Sequence, residues 1–185
     1  MISHEDIEAM GTPKSLIAFT GPAGVGKSKA ASMLVSRGWT RVKFASTLKK
    51  MCRAMGMTEQ MIEGDEKEAP QSLFGGQTPR YIMQTLGTEW GRKTVHPDLW
   101  VSITSAEIQR HLESGRNVVV DDCRFENEAN CIRALGGFVV SIVGRGGISG
   151  KHESESGVIP DFVIDNNGTL EELEREIDKL MEEIL

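Results

Sequence analysis

Residues Gly21-Pro-Ala-Gly-Val-Gly26-Lys27-Ser28 satisfy the pattern G-x-x-x-x-G-K-[ST] in full. They lie between an apolar, β-rich run at 15–20 and a helix-forming stretch at 29–35. Strand, glycine loop and helix in immediate succession leave the chain little choice but the opening of a βαβ unit. The residue types are those that phosphate binding needs. Glycines let backbone N–H groups turn inward onto an anion, and the following helix aims its positive end at the same point. The segment predicts a phosphate cradle made by Ala23, Gly24, Val25, Gly26, Lys27, Ser28 and Lys29. Lys27 would reach the terminal phosphates of a nucleoside triphosphate, and the Ser28 hydroxyl would ligate Mg²⁺. The plain alternative is a glycine turn without function; a chance match in a chain of this composition is on the order of 1–2%.

Further short apolar runs at 41–44, 117–121, 138–143 and 162–165 read as strands. The stretches 47–55, 79–86, 97–112, 126–135 and 170–185 read as helices, the last with Leu170, Leu173, Ile177, Leu180 and Ile184 on one face. Strands alternating with helices predict an α/β fold: a five-stranded parallel sheet with helices on both faces and ligands at the carboxyl ends of the strands. Residues 57–80, punctuated by Gly64, Pro70, Gly75-Gly76 and Pro79, predict a mobile loop with one helical turn at 58–62. Residues 144–160 predict a second. The expected organisation is a flexible tail at 1–13 and a single domain at 14–185.

Composition narrows the function. The chain has 185 residues, enough for one domain with a real core. A net charge of −6 argues against coating a nucleic-acid backbone. No apolar run reaches membrane-spanning length, and the acidic, polar start does not resemble a signal peptide, so a cytoplasmic protein is expected. Cys52, Cys123 and Cys131 are odd in number and form no C-x-x-C pair, which points to buried thiols rather than disulfides or zinc. Four histidines without H-E-x-x-H give no metalloprotease signature.

The run Val118-Val-Val-Asp121-Asp122-Cys-Arg124 places carboxylates at the end of a buried strand, where a phosphate-loop protein holds its Mg²⁺ shell directly or through water. A strand alternates its faces, so one of the two aspartates would serve, and spacing does not choose between them. Arg80, Arg92, Arg124 and Arg145 supply rigid, permanently charged forks suited to phosphate; a solvated surface arginine is the plain reading of each. Gln84 could read a base edge or lie on a helix surface. Trp100 could stack on a base or simply be buried in its helix. Met51, Met55 and Met57 read as core filler.

Beyond the phosphate loop, four segments carry a resemblance. They are Phe44-Ala-Ser-Thr-Leu-Lys49; Arg80-x-x-x-Gln84-x-x-Gly-Thr-Glu89-x-x-Arg92 followed by Asp98-Leu-Trp100; Asp122-Cys-Arg124-Phe-Glu-Asn127-Glu128; and His152-Glu-Ser154-Glu155. From Leu16 onward the chain resembles the bacteriophage-type deoxynucleoside monophosphate kinases, within the P-loop nucleoside monophosphate kinases. The resemblance implies ATP- and Mg²⁺-dependent phosphorylation of a deoxynucleoside 5′-monophosphate for nucleotide supply. It implies a helical monophosphate-binding insertion at about 45–105, with Lys49, Arg80, Gln84, Arg92, Trp100 and Arg124 as substrate contacts. It makes Asp122 the magnesium-side carboxylate and turns Arg124 toward the phosphates. A short lid at 145–157 would carry Arg145, and the segment Asn166-Asn167-Gly168 would pass the adenine of ATP, with Asn167 and Gly168 as the binding residues. No membrane or stable nucleic-acid partner is implied; a homodimer is open, as is a host cytoplasm for a phage-encoded chain.

Three other readings compete. A dephospho-coenzyme A kinase shares the loop, the layout and an Asn-Gly turn before the last helix, but not the segment from Arg80 to Trp100. A kinase of modified bases within DNA fits poorly with the net charge. A regulatory GTPase would need N-K-x-D, which the chain lacks. Preference for a base, or for deoxyribose over ribose, is not legible.

Overall fold

The computed structural model describes residues 15–144 and 158–184. Its sheet has five parallel strands in the order β2-β3-β1-β4-β5: β1 (Leu16–Thr20), β2 (Thr40–Val42), β3 (Val118–Val120), β4 (Phe138–Val143) and β5 (Phe162–Asp165). Every residue of β1 and β3 is buried. Unbroken apolar runs of this kind suit the middle of a parallel sheet covered on both faces.

The helices follow the sequence closely. They are α1 (Lys27–Ser36), α2 (Ser46–Ala54), α3 (Glu59–Ile62), α4 (Pro79–Gln84), α5 (Leu99–Glu113), α6 (Glu126–Ala134) and α7 (Leu170–Ile184). Alternation in β1 sends Ile17 and Phe19 to one face, where they pack with Ala30, Ala31 and Leu34 of α1 and Leu173, Ile177 and Leu180 of α7. Each of the larger side chains here, leucine, isoleucine or phenylalanine, contributes about 1.5–3 kcal/mol on burial. Ile184 joins this core, whereas Leu170, in the first turn, stays exposed. On the alternate face α6 packs against β1 and β4, burying Ala129 and Ile132.

The chain divides into two compact units, one running up to Lys43 and resuming at Ser105, the other Phe44–Thr104. The second has its own core of Cys52, Met57 and Ile62, packed by Leu48, Met61, Phe74, Ile82, Met83 and Leu86. Met57 is therefore core filler, but Met55 is exposed.

Within residues 57–80 the expected helical turn at 58–62 is present as α3, but the remainder is more ordered than its glycines and prolines suggest, with two 3-10 turns, Asp65–Glu68 and Ser72–Phe74. The Thr58 hydroxyl caps α3 by accepting from Met61 N at 3.3 Å, and the Thr78 hydroxyl caps α4 by accepting from Tyr81 N at 3.2 Å. The breakers separate short helical pieces rather than abolish them. A second difference is a π-helix, Thr85–Val95, that continues α4. Cys52 and Cys123 are buried, Cys131 is half-buried, and all three are free thiols. Among the described residues no helix is long and apolar enough to cross a membrane. The tail at 1–13 and the lid at 145–157 lie outside the described residues.

Candidate active site

The glycine loop leaves the carboxyl end of β1 and enters α1. Its conformation explains its glycines. Gly21 has φ 125°, and a Cβ there would sit 2.4 Å from the Ile142 carbonyl oxygen. Gly26 has φ 112°, and a Cβ there would meet Asn166 Nδ2 at 2.5 Å. Gly24, Gly26, Lys27, Ser28 and Lys29 line an open hollow of about 250 Å³. Lys29 N and Ala30 N both donate to the Gly26 carbonyl at 3.0 Å, and the positive end of α1 points at the hollow, an arrangement that favours an anion there. Val25 is buried and contributes backbone, while Ala23 and Lys29 are exposed. Lys27 Nζ donates to the carbonyls of Gly21 and Pro22, both at 2.6 Å, so the ammonium is folded over the loop itself.

Two neighbouring segments complete this unit's site. Asn166 follows β5, and its Nδ2 donates to the Val25 carbonyl at 2.9 Å, bracing the loop from outside. Asn167 is exposed and turned back on β5, its backbone N and Nδ2 donating to Asp165 Oδ1 at 2.9 and 2.6 Å. Gly168 is exposed beside Glu172, whose carboxylate caps α7 by accepting from Thr169 N.

At the end of β3 the two aspartates part company. Asp121 is 3% exposed, whereas Asp122 is half-buried. Arg124 has an exposed side chain, and its backbone N donates to the buried Glu128 carboxylate at 2.8 Å, as does Phe125 N at 3.2 Å. Glu128 thus closes the start of α6 and fixes the backbone from which Arg124 projects. The oxygen donors at these strand ends, the Ser28 hydroxyl and the paired aspartates, suit Mg²⁺, which takes one or two carboxylates and completes its shell with water and phosphate. The two buried oxygens of Asp121 accept no hydrogen bond, but they face Lys43 Nζ at 3.3 Å and Arg41 Nη1 at 4.0 Å, so their charge is already compensated within the protein.

In the second unit, Lys49 pairs with Glu63 and Arg80 with Glu68. Arg80 and Gln84 are exposed on α4, and Arg92 is half-buried in the π-helix, donating from Nη1 to the Pro97 carbonyl at 3.5 Å. Trp100 lies in the interior of this unit, 4% exposed, its indole N–H donating to the Gly87 carbonyl at 2.8 Å. Arg145 lies outside the described residues.

Sequence reasoning missed Arg41 and Lys43, and it placed Asn166 and Glu128 in motifs without the bracing and capping parts that the structure gives them. The pair Arg41 and Lys43 carried a signal, since charges two apart at the end of a strand share a face.

The sequence model of the family described as deoxynucleotide monophosphate kinase matches residues 76–177. A protein of Acanthamoeba polyphaga mimivirus, provisionally named a deoxynucleotide monophosphate kinase, is 35% identical over 181 residues, covering 88% of this chain and 93% of its own. The deoxynucleoside-5′-monophosphate kinase of Escherichia phage T5 is 29% identical over 113 residues, spanning 57% of this chain and 44% of the phage protein. Among solved structures, the dephospho-CoA kinase from Campylobacter jejuni superposes with a TM-score of 0.54 at 19% identity, over 92% of this chain and 97% of that one, a likeness of fold alone. With a family match over more than half the chain and a relative alike along nearly all of it, the chain belongs to the deoxynucleotide monophosphate kinase family.

Proposed function

We propose that the protein transfers the γ-phosphoryl group of ATP to a deoxynucleoside 5′-monophosphate, giving the diphosphate. The single observation that carries this is the glycine loop, open at the start of α1, in a chain of this family. Residues 23–29 would hold the triphosphate, with Asn167 and Gly168 beside the adenine. The second unit would hold the monophosphate through Lys49, Arg80, Gln84 and Arg92. The burial of Trp100 gives it a supporting part there. Ser28 and Asp122 would hold Mg²⁺, which when bound neutralises charge on the β- and γ-phosphates.

The acceptor is already largely dianionic at neutral pH, so no general base is required. The chain's work is positioning and charge. Lys27 would leave the loop carbonyls for phosphate oxygens, Arg124 would meet the transferring group from the start of α6, and Arg145 would be brought in with the lid. A cytoplasmic location and the lack of a nucleic-acid partner belong to the same reading.

The test is ADP formation from Mg·ATP against the common deoxynucleoside and ribonucleoside monophosphates and dephospho-coenzyme A. Turnover with one or more deoxynucleoside monophosphates is expected, and turnover with dephospho-coenzyme A alone would overturn the proposal.

A further inference from the structure

Arg41 and Lys43 flank Val42, the last residue of β2, and share one face of the strand. Both meet a single carboxylate. Lys43 Nζ lies 3.3 Å from Asp121 Oδ1, and Arg41 Nη1 lies 4.0 Å from Asp121 Oδ2. The Asp121 side chain is 1% exposed, and neither oxygen accepts a hydrogen bond. A buried carboxylate persists only with compensation, and here two cations provide it. Arg41 is committed further: its Nη2 donates to the Ser28 carbonyl at 3.1 Å and to Ser32 Oγ at 2.8 Å, on the first turns of α1. Lys43 is not so occupied. Its side chain is 31% exposed, and an ammonium has three donors to give. Val42 pairs with Val120, so Lys43 and Asp121 stand just past the carboxyl ends of β2 and β3, on the edge where the glycine loop leaves β1. Arg41 and Lys43 thus place two cations around the one buried carboxylate of Asp121.

We propose that Asp121 is a positioning residue that holds Lys43 for contact with a phosphate oxygen of a bound nucleotide, while Arg41 ties the same carboxylate to the turn that carries Ser28. The role is distinct from that of Asp122, and it rests on the phosphoryl-transfer reading above.

Steady-state kinetics on Lys43→Ala, Lys43→Arg, Asp121→Asn and the double variant Asp121→Asn/Lys43→Ala test it, with Lys179→Ala on α7 as a charge control. Lys43→Ala should lower kcat/KM by about tenfold or more. A change in KM for ATP would place the contact on the donor, and one in KM for the monophosphate on the acceptor. Lys43→Arg should recover most of the loss. Asp121→Asn should reproduce the Lys43→Ala defect, and the double variant should be no worse than the poorer single. The half-saturating Mg²⁺ concentration should stay unchanged in Lys43→Ala.

Lys43→Ala within twofold of the control would overturn the proposal. So would losses that multiply in the double variant, or an Asp121→Asn defect confined to Mg²⁺ dependence, which would make Asp121 a metal ligand. If Asp121→Asn does not fold, the two variants at half-exposed Lys43 decide alone. A parent inactive toward every deoxynucleoside monophosphate would sink the kinase reading instead. Equilibrium binding of ATP to the parent and Lys43→Ala would then judge Lys43 separately, with equal affinities counting against it.

Discussion

Asn166 Nδ2 donates to the Val25 carbonyl at 2.9 Å, joining the end of β5 to the middle of the glycine loop 141 residues earlier. The same amide stands where a side chain at Gly26 would have to go, 2.5 Å from the ideal Cβ. The loop is therefore shaped from outside as well as by its own glycines. Asn166→Ala should destabilise the protein by about 1 kcal/mol, the worth of one part-buried hydrogen bond. It should raise KM for ATP more than KM for the monophosphate. Gly26→Ala combines the close contact with a φ of 112° and should abolish ATP binding. Urea unfolding together with ATP titration separates the two effects. Equal ATP affinity in Asn166→Ala and the parent would contradict the bracing role.

Lys27 hydrogen bonds to two loop carbonyls in this structure, yet its proposed work is on phosphate. Lys27→Met removes the charge and keeps most of the stem. It should leave a folded protein whose kcat is lower by about 10²–10³, the scale for removing one preorganised electrostatic contact to developing charge. Circular dichroism and ADP release on the same preparation provide the check, and normal turnover would end the phosphate-loop assignment.

How much of this was legible in the sequence depends on the range of the interactions. The loop, the strands and most helices were readable because glycine spacing, apolar alternation and helical periodicity are local. The 3-10 turns Asp65–Glu68 and Ser72–Phe74 were not, because they carry no side-chain cap and lie among Gly64, Pro70 and Gly75-Gly76, which read as breakers. The π-helix Thr85–Val95 has no composition signal, and it sits where Trp100 comes against Gly91 from further along the chain. The two aspartates at 121 and 122 look alike on paper. Their different burial is decided by Arg41 and Lys43, about 80 residues away, a pairing that only the sheet order β2-β3-β1 brings about.

Cys52 carries a pH dependence. Burial holds its thiol above the ordinary value, with the Arg53 charge pulling weakly the other way. The unfolded chain then gives up its thiol proton at a lower pH than the folded protein. The stability tied to this group is complete below about pH 8.5 and falls as pH rises past it toward the folded value. Unfolding free energies from urea titrations at pH 7 and pH 10 should show a smaller alkaline loss in Cys52→Ala than in the parent. The comparison of slopes is unaffected by the small cavity that the substitution leaves. Identical losses would mean that the thiol titrates in the folded state as it does in the unfolded one.

Trp100 separates a packing role from a binding role. Its indole N–H donates to the Gly87 carbonyl at 2.8 Å, its ring is tilted 53° to that of Trp90 at 6.4 Å, and a Cβ on Gly91 would come within 2.6–2.8 Å of three of its ring atoms. Gly91 is thus the floor against which the indole is seated, and any side chain there must displace it. Gly91→Ala should cost about 1–3 kcal/mol through overpacking. Trp100→Phe should cost about 1–3 kcal/mol through the lost hydrogen bond and the unsatisfied Gly87 carbonyl. Both should lower the urea midpoint, and in Gly91→Ala the tryptophan emission should shift to the red as the ring leaves its site. If the role is packing, KM for the monophosphate in Trp100→Phe should stay within about threefold of the parent at temperatures where the variant is folded. A tenfold or larger rise in KM, with the urea midpoint unmoved, would instead put the indole in contact with the substrate base and return Trp100 to the binding set with Arg80, Gln84 and Arg92.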